Sequence, residues 1–123
     1  ILQTNRYYID YYSKNAIFME RIYEARDFYP ELIVGRQELN AAWAKRIVNH
    51  ARRHGPSTSS PGKLRLRALM LECMIDDVLR EVFVIGNPSF RADGAGLDEI
   101  AFELSTIWYR SLYGKSVEAD PAA

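Results

Sequence analysis

Residues 64–85, LRLRALMLECMIDDVLREVFVI, read as one helix that is apolar on two opposite faces. Leu64, Leu71, Ile75, Val78 and Val82 fall on the stronger face, and Leu66, Leu69, Met70 and Cys73 on the other. Glu72, Asp76 and Arg80 run down one flank at intervals of four, a spacing at which Asp76 and Arg80 can pair along the helix. A helix with two apolar faces needs partners on both sides. A chain of 123 residues has room for one domain. One partner is therefore the rest of this small domain, and the other is most simply a second copy of the chain.

The remaining segments read as helices too, and together they predict an all-α bundle of four. The first spans about 3–26, with Tyr7, Tyr11, Phe18, Ile22 and Ala25 on one face and Tyr8, Tyr12, Met19 and Tyr23 beside them. Ser13-Lys14-Asn15 is a candidate interruption of it. Pro30 opens the second helix, in the first turn where proline is tolerated. Its inner face is expected to be Leu32, Leu39, Trp43 and Ile47, flanked by Asn40 and Ala44. Arg52, Arg53 and His54 before Gly55 close it with cations favourable to a helix C-terminus. GPSTSSPG at 55–62 reads as a flexible loop, and the third helix covers about 63–84 until Gly86-Asn87-Pro88 breaks it. After a second loop at 86–96, the last helix runs from 97 to 114. It turns Leu97, Ile100, Ala101, Leu104, Ile107, Trp108 and Leu112 inward, and Phe102, Ser105, Thr106 and Tyr109 to another side suited to a helix–helix seam. The tail, 115–123, reads as disordered.

Several function classes are excluded by what the residues lack. Basic and acidic side chains number 16 each, so this segment has no strongly basic surface for phosphates. Lys45, Arg46, Arg52 and Arg53 form the one basic cluster, which reads as a solvated helix end. A mean hydropathy of -0.25 is that of a soluble protein, and no run approaches the roughly 18–20 apolar residues of a membrane span. With Cys73 alone, no internal disulfide forms. That fits a cytoplasmic location, and a cysteine in an apolar helix reads as an inert core residue. His50 and His54 stand four apart but lack the acidic third partner of a metal site, so no metal and no cofactor are expected. Asp76 and Asp77 point about 100° apart on a helix and do not converge as an acid–base pair. No nucleophile elbow, phosphate loop or dinucleotide motif is found, and the chain does not read as an enzyme.

In order, YYSKNAIFMERIYEARDFYPEL, ELNAAWAKRIV, LRLRALMLECMIDDVLREVF and the ending ELSTIWYRSLYG resemble the C-terminal half of TetR-family transcriptional repressors. The likeness covers about residues 5–114. It implies a ligand-binding and dimerisation domain over 1–114, whose last two helices pair across a homodimer as a four-helix interface. The family's N-terminal helix-turn-helix is absent from these residues. The chain begins at Ile1 and reads as a piece of a longer protein. Operator DNA would be met only through that missing domain, and no membrane partner is implied.

The resemblance further implies a mostly apolar pocket between the first three helices and the start of the fourth, taking a small hydrophobic effector whose binding releases operator DNA. Tyr7, Tyr11, Asn40, Trp43, Ile47, Ile75 and Trp108 fall at or near pocket positions by that resemblance, and Phe18, Ile22 and Leu79 complete the expected lining. Helical spacing independently groups Tyr7, Tyr11 and Phe18 on one face, and Asn40, Trp43 and Ile47 on another. The amide of Asn40 beside Trp43 needs a partner if it lies inside. The dimer seam is expected to use Leu66, Leu69, Met70 and Cys73 with Phe102, Ser105, Thr106 and Tyr109. The alternative function is a stand-alone helical protein–protein interaction module that uses the same apolar faces.

Overall fold

Asn15 ends the first helix. Its φ of -120° departs from helical geometry. Its side-chain amide donates to the Tyr11 carbonyl at 2.9 Å, and its backbone N–H to Tyr11 and Tyr12 at 3.1 Å. An asparagine that bonds its own preceding turn competes with helix continuation in this way. The interruption divides the expected first helix into α1 (Leu2–Lys14) and α2 (Ala16–Ala25). The structure is a computed structural model, and it describes residues 2–54, 59–91 and 96–114.

Local signals set the other ends as well. The helix α3 (Pro30–His54) begins on its proline. The helix α4 (Pro61–Arg80) is capped by the Ser60 hydroxyl, which accepts from the Lys63 N–H at 3.3 Å, with Pro61 in the first turn. From Glu81 to Ile85 the ladder widens to a π turn. It stops at Gly86, whose φ of 73° favours a residue without a β-carbon. A 3₁₀ turn follows at Pro88–Arg91. Finally α5 (Leu97–Tyr113) carries Asp98 and Glu99 in its first turn and ends at Gly114, again left-handed with φ 66°.

The protein is an all-α helical bundle, with no strand among the described residues. In it α3 packs on α4, α1 on α5, and α4 on α5, while α2 lies against the π turn. The core gathers Ile9 and Tyr12 from α1, Val48 and Ala51 from α3, Leu64, Leu71, Ile75 and Leu79 from α4, and Ile100, Leu104, Trp108 and Leu112 from α5. Helix α4 presents two kinds of surface. Leu64, Ala68, Leu71, Ile75 and Leu79 are buried, whereas Leu66, Met70 and Cys73 are exposed.

Several faces differ from expectation. On α1 the inward residues are Asn5, Ile9 and Tyr12, not Tyr7 and Tyr11, and α2 buries no residue at all. On α3 the inward residues are Ala44, Val48 and Ala51, while Leu32, Leu39 and Trp43 are exposed. These small residues sit on the stripe where α3 meets α4, since close helix packing favours short side chains. Leu97 and Ile107 are exposed on α5, and Cys73 is a surface thiol, not a core residue. Arg80 does not pair with Asp76. It holds Glu20 of α2 through two hydrogen bonds of 3.0 Å. The expected loop at 55–62, the second loop at 86–96 and the tail at 115–123 fall partly or wholly outside the described residues.

Candidate functional site

Because α1 leans on α5 and α3 leans on α4, the space between α1 and α3 is left unfilled. It forms an open cavity of about 630 Å³. Tyr7 and Tyr8 border it on α1, and Leu39, Asn40, Trp43 and Ile47 on α3. Its floor is Ile75 of α4 with Trp108 and Leu112 of α5. The lining is mostly apolar, with a few polar groups set into it, which is the usual composition of a small-molecule site.

Of the residues expected around a ligand, Tyr7, Asn40, Trp43, Ile47, Ile75 and Trp108 meet at this one cavity. The other four do not. Tyr11 and Ile22 point to solvent, Phe18 borders a shallow depression with Ser13 and Arg21 at the α1–α2 junction, and Leu79 is wholly enclosed in the core. For Phe18 and Ile22 the reason lies at Asn15, since the break there stops the stripe of α1 from continuing along α2. Tyr7, although at the rim, is 75% exposed.

The polar groups converge at one end. Asp76 accepts from the Tyr8 hydroxyl at 2.6 Å through Oδ1 and forms an ion pair with Arg36 through Oδ2. One turn earlier, Glu72 also faces the cavity, and its Oε2 is buried with no hydrogen-bond partner among the described residues. Burial pushes the Glu72 carboxyl up to about 7, against the pull of the Arg36 charge. Tyr8 is likewise raised, first by burial, with Arg36 opposing. At the other end His50 and the Tyr113 hydroxyl share a hydrogen bond, and the His54 ring lies 4.5 Å from that of His50. His50 is held below the usual imidazole value by burial, then by His54 and Arg53. Burial raises Tyr113. Trp108 Nε1 is the second buried side-chain polar atom without a partner among the described residues.

Sequence reasoning named Glu72 and Asp76 as one flank of α4 and did not place Arg36, Tyr8, His50 or Tyr113 at the pocket. No periodicity on α3 alone marks Arg36, because its role comes from Asp76 on another helix.

The seam residues also divide. Leu66, Met70 and Cys73 are exposed on α4, and Leu69, Phe102, Thr106 and Tyr109 are half-buried. Ser105 does not belong to an outer seam. It is 0% exposed and accepts from the Asn5 side-chain amide at 3.0 Å, which ties α5 to α1. The Thr106 hydroxyl is satisfied within its own helix by the Phe102 carbonyl at 2.9 Å.

Comparison with protein-family models, with curated proteins and with solved structures returned no match for this chain. No helix among the described residues is long and apolar enough to cross a membrane.

Proposed function

We propose that this chain is the effector-binding and dimerising unit of a TetR-like transcriptional repressor. Its DNA contact would be made by a head outside these residues. The observation that carries the reading is the apolar cavity of about 630 Å³ between α1 and α3, in a bundle whose α4 also exposes a second apolar face.

The mechanism is a population shift. A small apolar molecule seated against Trp43, Ile47 and Ile75 binds better when α1 and α3 stand at one particular separation, and it favours that arrangement by its difference in affinity. Because α1 is the element nearest the chain's start, its position would set the spacing of two DNA-binding heads in a dimer. Successive major-groove half-sites lie about 34–36 Å apart, so a small change in head separation weakens the hold on an operator.

The test has two stages. Titration of the 123-residue chain with 1-octanol is expected to change tryptophan fluorescence saturably, and Trp43→Ala is expected to weaken that binding. The full-length protein is then expected to retard DNA from its own upstream region, with release by a bound effector. Absence of saturable binding by octanol and by amine and carboxylate analogues of the same length rejects the ligand-sensing reading.

A stand-alone interaction module is the second reading, favoured by the exposed Phe28, Tyr29 and Val34 around the α2–α3 junction. A monomeric chain with no response to apolar ligands would support it.

A further inference from the structure

We infer that the cavity selects apolar molecules bearing a basic nitrogen, which Glu72 receives as an ion pair. This rests on reading the cavity as a ligand site and adds the chemical class of the ligand.

The geometry supplies the argument. Asp76 and Glu72 both line the cavity, yet only Asp76 is satisfied within the chain. Its two oxygens take Tyr8 and Arg36. Arg36 gives its Nη2 to Asp76 and makes no hydrogen bond to the buried Oε2 of Glu72, although its charge pulls the Glu72 carboxyl down. The other cavity-lining arginine, Arg46, is stacked over the Trp43 ring at 5.4 Å. A buried carboxylate oxygen with no partner is costly, and the cost is removed when a donor arrives. An ammonium brings the charge as well as the donor. The apolar remainder of such a molecule lies along Trp43, Ile47 and Ile75. Burial holds Glu72 near 7, so it is largely ionised at pH 8, where a primary alkylamine is still protonated.

The experiment compares n-octylamine, 1-octanol and octanoate, matched in length and differing in head group, against the 123-residue chain at pH 8 by tryptophan fluorescence and calorimetry. Octylamine is expected to bind about tenfold or more tighter than octanol, as one charge-assisted hydrogen bond predicts, and octanoate weakest. Glu72→Gln is expected to erase the difference between octylamine and octanol. Equal binding of octylamine and octanol, or tightest binding of octanoate, overturns the inference while leaving the cavity a ligand site. Failure of all three to bind overturns the ligand-site reading itself. The wild-type comparison stands even if Glu72→Gln does not fold.

Discussion

Asn5 and Ser105 are the two buried polar residues of the described structure, and they satisfy each other. Removing one partner leaves the other stranded, which costs about 1–3 kcal/mol. Ser105→Ala is therefore expected to lower the free energy of unfolding by that order in urea titration. Joint replacement with Asn5→Leu should recover part of the loss, and an unchanged midpoint for the single variant would contradict the bond. Glu72 makes the opposite contribution. Its carboxyl stands at about 7 when folded against 4.5 ordinarily, so the folded chain binds the proton more tightly. Stability from this group is complete below the unfolded value and is lost as pH rises through about 7. Glu72→Gln is expected to remove that decline. Wild type and variant should differ progressively in urea midpoint between pH 5 and pH 8, and parallel profiles would show that the carboxyl is not buried.

At the scale of the helix, α2 is the weakest element, because it buries no residue of its own. What fastens it is Met19 packed against the core and the two-bond clamp of Glu20 on Arg80, with Arg80 also 4.2 Å from the Tyr23 ring. That clamp holds Glu20 below the usual carboxylate value. Arg80→Met is expected to raise hydrogen-exchange rates across residues 16–25 and to leave those of α4 and α5 close to wild type. Uniform acceleration throughout the chain would show that the clamp supports the whole core instead. Most helix boundaries were legible in the sequence because their signals are local: Asn15, Pro30, Gly86 and Gly114 each act within a turn or two, whereas α4 starts at Pro61, inside the stretch that reads as loop. The facing of the helices was less legible. A stripe of adjacent tyrosines gives α1 no unique inward direction, and the choice of Asn5, Ile9 and Tyr12 follows from the Ser105 partner 100 residues away. Ala44 reads from the sequence only as a flank of Trp43, and Ala51 is not marked at all, because hydrophobic bulk, not fit against α4, dominates the pattern. The cavity residues Asn40, Trp43 and Ile47 were legible as a group since they share one helix face. Arg36 and Tyr8 were not, since a cross-helix ion pair leaves no mark on the periodicity of either strand of sequence.

For the molecule as a whole, the outward face of α4 decides whether the chain pairs with itself. Leu66 is 54% exposed and Met70 60% exposed in the isolated chain. Replacing both with glutamate therefore removes little internal packing, while in a homodimer it would place unpaired charge in the seam. Leu66→Glu with Met70→Glu is expected to convert a dimer to a monomer in sedimentation equilibrium at an almost unchanged melting temperature measured on the monomer. A wild-type chain that sediments as a monomer, or a double variant that remains a dimer, would remove this face from the assembly.

The asymmetry of α3 has a mechanical consequence. Its 25 residues make a rod of roughly 37 Å at 1.5 Å per residue, yet nothing between 30 and 39 is buried and its anchorage begins only at Ala44. The front of the rod is a cantilever, and the ion pair between Arg36 and Asp76 is the stay that braces it. The stiffness of one wall of the cavity thus depends on a single electrostatic strut near the free end, where a small tug is amplified by the length of the beam.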